Sequence, residues 1–244
     1  MSEKAIKYKS GILAGIVEVL VTHPIDYYKT KQQFHAFDRG YNNFNLKNMY
    51  SGISSRIYGI APMRLIFWCT QDLMENHFAN FKYKYALAGA LAGSFQTLVD
   101  YPIEQIKIRR MIYKDSYSNI IKDMIRSDNL ISGFSFTFYR NVGFATIFNH
   151  ILKNNSVNES NSANFILAAG SGFLSSLITQ PLDYFKTIIQ SSKEKKISVN
   201  EIFKNSFKNN DFLIFFRGGL SRSSISFLSM GIGYSIYEFC KKNL

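Results

Sequence analysis

Cysteine is nearly absent: Cys69 and Cys240 are the two in 244 residues. That is too few for a disulfide framework, and their spacing suits no metal site, so both read as reduced and structural. His23, His35, His77 and His150 share no ligand spacing either and read as structural or solvated, so no metal is expected. There is no phosphate-binding glycine loop and no nucleophile motif, which argues against an enzyme and against a resident cofactor. The opening MSEKAIKYKSG has no apolar core of signal-peptide type and lacks the Arg/Ser-rich, acid-free character of a transit peptide. No window holds eighteen uncharged apolar residues, the length that a plain apolar helix needs to cross a bilayer. Acids are outnumbered, 17 against 29 lysines and arginines, giving a formal net charge of +12. A balance of that size suits nucleic acid, acidic lipid or an anionic solute.

Proline is scarce too, with four in the chain, and three of them carry the organisation. THPIDYYKT at 22–30, YPIEQIKI at 101–108 and QPLDYFKT at 180–187 share Pro-[Ile/Leu]-[Asp/Glu]-x-x-Lys. Pro24, Pro102 and Pro181 are 78 and 79 residues apart, a near-constant period that marks internal repeats. Thirteen and nine residues before each proline stand Gly11 and Gly15, Gly89 and Gly93, Ala168 and Gly172. Small residues four apart let helix backbones approach closely, a packing device of helices in lipid. Each unit reads as two long helices. The odd one runs through the proline to the bases beyond it. The even one follows a glycine in MYSG, LISG or FFRG, at Gly52, Gly133 and Gly218. The connectors of the second and third units contain short amphipathic patterns opened by Ser or Asn, which suit helix N-caps.

With these three proline boxes and aligned small residues, the chain resembles the mitochondrial carrier family over about Lys9 to Lys242. The resemblance implies an all-α membrane protein of six tilted transmembrane helices in three pseudo-threefold repeats (9–80, 82–157 and 162–242) with short matrix helices. A water-filled cavity between the helices makes one face of each polar, which accounts for the weak hydropathy. It implies the mitochondrial inner membrane, both termini facing the intermembrane space, and a monomer. The bases agree with that sidedness. Sixteen lie between each proline box and the next even helix, against eight on the side of the termini, so the box side is the positive-inside, matrix face.

In each box the acid and the base three residues on share a helix face, and the prolines kink the helix ends so that three of each can converge. By resemblance the pairs form between units, Asp26 with Lys107, Glu104 with Lys186 and Asp183 with Lys29, and close the matrix mouth. Gln33 and Gln190, four after their box lysines, are expected to brace the pairs, whereas Met111 cannot. The family's outer gate, [Phe/Tyr]-[Asp/Glu]-x-x-[Lys/Arg], is matched in the third unit alone by Tyr237, Glu238 and Lys241. The first unit offers Asp72, with Glu75 where a base is expected, and the second offers no acid. A weakly latched outer gate follows as an expectation, and with it a resting state open on that side.

Five bases remain outside both sets: Arg56, Arg64, Arg140, Arg217 and Arg222, in or at the start of even helices. Arg56 and Arg222 follow their glycines by four and Arg140 by seven. At about 100° per residue these three share a face. Arg64, twelve after Gly52, points away and reads as a packing or snorkelling residue. In the family the principal contact positions correspond to Gly59, Arg140 with Asn141, and Ile225. That set, with GIAP at 59–62 and SRSSIS at 221–226, is similar to S-adenosylmethionine carriers, although Asn141 stands where those have an acid. An Arg-Asn pair leans toward keto acids or other anions. Arg56, Arg140 and Arg222 together suit a polyphosphate, while Glu18 and Asp100 suit a cationic portion. The expected activity is secondary transport of a nucleoside-containing or anionic metabolite, S-adenosylmethionine or (deoxy)nucleotides first, across the mitochondrial inner membrane by alternating access. The weak outer gate would permit some unidirectional transport beside exchange. A keto acid or other carboxylate is the alternative within the class. A soluble, basic helical repeat that binds nucleic acid is the alternative outside it, and it leaves three prolines inside apolar helices unexplained. The family also implies cardiolipin at Gly52, Gly133 and Gly218, though helix capping alone accounts for those glycines.

Overall fold

The computed structural model describes residues 3–37, 48–126, 131, 133–155, 161–191, 198–208, 211–229 and 232. Among these, every regular element is a helix: α1 (Glu3–Phe37), α2 (Ile53–His77), α3 (Lys84–Tyr113), α4 (Tyr117–Arg126), α5 (Phe134–Asn155), α6 (Asn161–Ile178), α7 (Gln180–Ser191), α8 (Val199–Lys208), a 3-10 turn at Phe212–Phe216, and α9 over 219–229. Aligned on their prolines, α1, α3 and the α6–α7 pair are equivalent. So are α2, α5 and α9, and the short α4 and α8.

Pro24 and Pro102 sit inside continuous helices, but the third odd helix breaks at Thr179 and bends by 60° into α7. The cause is written in the preceding turns. The hydroxyls of Ser175 and Thr179 donate to the carbonyls four residues back at 2.6 and 2.8 Å, and Ser171 and Ser176 donate three back. Such back-bonding competes with the helix ladder and bends it, and Pro181 then removes a further donor. The first two units carry fewer back-bonds of this kind ahead of the proline: Thr22 to the Glu18 carbonyl at 2.7 Å in the first, and Ser94 to Ala90 and Thr97 to Gly93 at 2.8 and 2.7 Å in the second. At the N-termini of α4 and α8, Ser116 and Ser198 accept from the backbone N–H groups of Asn119 and Glu201, as N-caps do.

Glycines set the helix contacts. A Cβ on Gly15 would lie 2.7 Å from Ile60 of α2, and one on Gly89 or Gly93 would lie 2.5 or 2.7 Å from the carbonyls of Ala145 or Asn141 of α5. These are the small residues upstream of the prolines, and in the first two units they seat the odd helix on the even helix of its own unit. The glycines that open the even helices do something different. Gly52, Gly133 and Gly218 have φ of 86°, 78° and 76°, the left-handed region that favours glycine. Each lies against the box helix of the next unit: Gly52 on Lys107, Gly133 on Gln190 and Ile189, Gly218 on Lys29 and Gln33. The three odd helices also touch one another in every pairing, α1 with α3, α3 with α7 and α7 with α1, so the box ends converge and close the ring.

The distribution of polarity is inverted. Buried positions include Glu18, Lys29, Asp100, Glu104, Lys107, Arg140, Asp183 and Lys186, while Leu13, Val21, Tyr58, Leu65, Leu98, Ile166 and Leu220 are at least 43% exposed. An apolar exterior around a charged interior is the arrangement that a lipid environment selects. No single described helix is long and apolar enough to cross a membrane on its own; the bent pair 165–178 and 180–191 passes that test together.

Candidate gate and cavity

At the converging ends the three cross-unit pairs are formed. Lys107 Nζ lies 2.7 Å from Asp26, Lys186 Nζ 2.8 Å from Glu104, and Lys29 Nζ 2.6 Å from Asp183. The last two pairs are buried on both sides, with side-chain exposures of 7% or less, whereas Asp26 is 17% exposed. A second tier lies beyond them. Lys31 Nζ donates to the Ile112 carbonyl, and Arg109 Nε to the Gln190 carbonyl, each at 3.3 Å and each across to the next unit's odd helix. Both bases stand two residues after a box lysine; the third unit has Ile188 there. The seam from the third unit to the first is reinforced differently, by Gln33, whose amide donates to Asp183 at 3.2 Å and to the Arg217 carbonyl at 3.4 Å.

Gln190 departs from its expected part. Its Nε2 donates to Thr137 at 2.9 Å rather than to the Glu104–Lys186 pair, and Glu104 accepts from Arg140 as well as Lys186. Within units, the residue before the proline holds the carbonyl before the helix-opening glycine. His23 Nε2 donates to Ser51 at 3.1 Å, and Gln180 Nε2 to Arg217 at 2.8 Å. The second unit's Tyr101 instead accepts from Gln105 at 2.6 Å and packs edge-on to Phe134.

Behind the pairs opens a cavity of ≈ 240 Å³, lined from all three units. Arg56, Arg140, Arg222, Asn141 and Ile225 line it as a shared helical face requires. Arg64 lines it too, and forms an ion pair with Glu18. Contrary to the expectation that it points away, the long Arg64 side chain brings its guanidinium to the cavity wall. Glu18, expected to meet a cationic portion of a solute, is engaged by Arg64 and by the Ser229 hydroxyl. Asp100 is equally engaged, accepting from Arg140 and from Asn141 at 3.0 Å and from Arg56 at 3.4 Å. Gly59 does not line the cavity. It faces α3, where a Cβ would come within 2.4 Å of Ile103, so its small size serves helix approach.

Arg140 departs furthest from expectation. Its guanidinium grips Glu104 with both terminal nitrogens, at 3.0 and 2.9 Å, and reaches Asp183 at 3.3 Å and Asp100 at 3.0 Å. It belongs at once to the cavity wall and to two of the three gate pairs. Arg222 is tied less tightly to acid. Its nitrogens donate to the Ser176 carbonyl at 2.6 Å and the Thr179 hydroxyl at 2.9 Å, with Asp183 3.8 Å away.

At the opposite end, Tyr237, Glu238 and Lys241 lie outside the described residues. Asp72 is exposed near the end of α2. Glu75 there pairs with Lys153 of α5, at 3.5 Å, and the buried Gln71 donates to Glu75 at 2.8 Å. A base at the expected position in the first unit would have repelled Lys153; the acid found there attracts it.

A family model described as "Mitochondrial carrier protein" matches residues 3–82 and 157–244, most of the first and third units. Among similar curated proteins, the mitochondrial aspartate-glutamate transporter of Saccharomyces cerevisiae is 27% identical over 96% of this chain, which spans 31% of that protein's length. The mitochondrial glycine transporter of Xenopus tropicalis is 24% identical over 93% of this chain and 87% of its own. A probable mitochondrial 2-oxodicarboxylate carrier of Schizosaccharomyces pombe is 28% identical over 76% and 74% of the two chains.

Proposed function

The chain belongs to the mitochondrial carrier family, and from that premise we propose that it moves a small anionic metabolite across the mitochondrial inner membrane by alternating access. Members of this family are transporters, not enzymes, with an all-α membrane fold. In this reading the six long helices are tilted spans in three units (9–80, 82–157, 162–242), the box ends face the matrix, both termini face the intermembrane space, and one chain suffices for transport.

The observation that carries the anion is the charge of the cavity. Once the lysine–carboxylate pairs are set aside, Arg56, Arg64, Arg140 and Arg222 face Glu18 and Asp100 across it. Four guanidinium groups against two carboxylates leave an excess of two positive charges in a space closed at one end, where low dielectric strengthens their pull. Arg56 is the most open to solvent of the arginines on the shared face, with its side chain 27% exposed. Together with Arg222, whose partners are mostly neutral, it offers the first contacts to an incoming carboxylate or phosphate, which guanidinium binds bidentately.

This geometry moves the preference among solutes. S-adenosylmethionine carries positive charge, and the two acids that suit it, Glu18 and Asp100, are already taken. A carboxylate fits both the excess charge and the modest volume. Nucleotides are the second reading, favoured by the convergence of Arg56, Arg140 and Arg222 on one space. Uptake of labelled dicarboxylates, keto acids, amino acids, deoxynucleotides and S-adenosylmethionine into liposomes holding the purified protein decides between them. Saturable uptake of a carboxylate supports the reading, and uptake confined to S-adenosylmethionine overturns it. Comparing preloaded with empty liposomes tests exchange in the same assay.

The glycines that open the even helices also support an anionic lipid, with cardiolipin the family's expectation, at the helix starts near Gly52, Gly133 and Gly218. The Gly52 end of α2 has no side-chain cap, and free N–H groups at a helix start attract phosphate.

A further inference from the structure

We infer that Arg140 is a latch contested between the gate and the solute: in the empty protein it holds the matrix mouth closed, and an anion in the cavity opens that mouth by taking it away. The inference rests on the reading above that the cavity receives an anion, but its first half stands on geometry alone.

The three gate acids are not held alike. Among the described residues, Asp26 has Lys107 alone within ion-pair distance. Glu104 is shared between Lys186 at 2.8 Å and Arg140 at 2.9 Å, and Asp183 is held by Lys29 at 2.6 Å and Arg140 at 3.3 Å, with Lys186 and Arg222 further off at 3.5 and 3.8 Å. Arg140 stands on α5 of the second unit, yet it spans the seam between the second and third units and reaches the pair that joins the third to the first. It is therefore the one described side chain within ion-pair distance of two gate acids from a helix that carries no proline box. The fork geometry matters, because a planar guanidinium meets several carboxylates at once while an ammonium is a single point of charge. Arg140 is also on the wall that a solute touches. Each bond it gives to a carboxylate or phosphate in the cavity is one withdrawn from Glu104, Asp183 or Asp100. Breaking a buried pair by removing one partner is costly, because the other charge is left uncompensated. The closed gate consequently loses its margin as the solute binds, and the solute bears the cost of opening.

Gate opening can be read without transport. Spin labels placed at Lys122 of α4 and Lys204 of α8, both exposed and on either side of the seam that Arg140 spans, report its width by pulsed electron resonance. The labels are introduced as K122C and K204C in the full chain with Cys69 and Cys240 replaced by serine, in lipid nanodiscs without solute. One short distance is expected for the otherwise unaltered protein. R140Q raises the ratio of long-distance to short-distance forms at least about tenfold. R140K, which keeps the charge and loses the fork, falls between. R56Q, which removes an equal charge from the cavity wall but no contact with a gate acid, leaves the short distance in place.

Distances in R140Q and R140K superimposable on those of the unaltered protein overturn the latch, as does equal opening in R56Q. A closed R140Q that has lost uptake makes Arg140 a solute contact only, which leaves the transporter reading intact and sinks this one. An open R140Q, together with a protein that takes up no anion, upholds the latch and sinks the anion.

Discussion

The two ends of the helix bundle are held together by different physics. At the proline-box end, three lysine–carboxylate pairs with separations of 2.6–2.8 Å are joined by Arg140, Gln33 and a second tier from Lys31 and Arg109. At the other end, Glu75 pairs with Lys153 at 3.5 Å, with Lys153 37% exposed. Buried pairs contribute little net stability when made but resist being half-broken, whereas an exposed pair is worth roughly 0–1 kcal/mol either way. The first end is a cooperative latch, and the Glu75–Lys153 pair at the second is a weak tether.

The sharpest way to break this contrast is D183N. Asp183 is fully buried and accepts from Lys29, Gln33 and Arg140, so neutralising it strands several cations. A loss of about 3–5 kcal/mol is expected, seen as a fall of several degrees in thermal unfolding and as uptake below one tenth of normal. D26N removes the partner of one lysine at a more open position and should cost less. If D26N proves the more damaging of the two, the gate is not centred on Asp183.

G59A comes next, and it separates packing from solute contact. An added methyl meets Ile103 of α3 at 2.4 Å, and overpacking of that kind costs about 1–3 kcal/mol. The expected result is lower thermal stability with an unchanged half-saturating solute concentration. A raised half-saturating concentration with stability intact would return Gly59 to the solute.

Glutamine tests the latch more finely, because two residues at the same repeat position do different things. Gln33 donates to a gate carboxylate and Gln190 to the Thr137 hydroxyl. A hydrogen bond to a charged group is worth about 1.5–3 kcal/mol and one between neutral groups about 1 kcal/mol. Q33A should therefore increase the open population by tenfold or more on a label pair set across the seam from the third unit to the first, while Q190A lowers stability slightly with the gate still shut. Equal opening in both variants would make the contrast between them wrong.

Much of this was legible in the sequence, and the reason is repetition. One proline and an acid–base pair three residues apart say little, but the same set at a near-constant period fixes which side chains must converge, and Asp26, Glu104 and Asp183 do converge on the lysines of neighbouring units. Periodicity carries no such information about departures from the repeat. A helical wheel treats a side chain as a stub and so leaves Arg64 off the cavity wall that its guanidinium reaches, and the offset that Gln190 shares with Gln33 does not reveal that its amide bonds Thr137. Arg140 itself was visible as a solute residue and not as a gate residue, since nothing in its own unit's motif links it to Glu104 and Asp183. The break at Thr179 was readable in principle, in the run of Ser171, Ser175, Ser176 and Thr179 ahead of the proline.

The weak tether makes the smallest prediction and the one most particular to this chain. Glu75 sits where its repeat pattern calls for a base, so its attraction to Lys153 depends on two departures that compensate each other. Gln71, buried to 1%, holds the Glu75 carboxylate in place at 2.8 Å, which lowers the entropy lost in pairing. E75K brings two ammonium groups together, and K153E brings two carboxylates; each should cost about 0.5–1 kcal/mol and change the uptake rate by no more than a few fold. The double reversal E75K/K153E restores the attraction and should recover most of the loss, and 1 M salt should abolish the difference between single and double variants by screening. Additive losses in the double variant would mean that the two residues act separately. A single reversal as damaging as D183N would mean that this end is latched as firmly as the other.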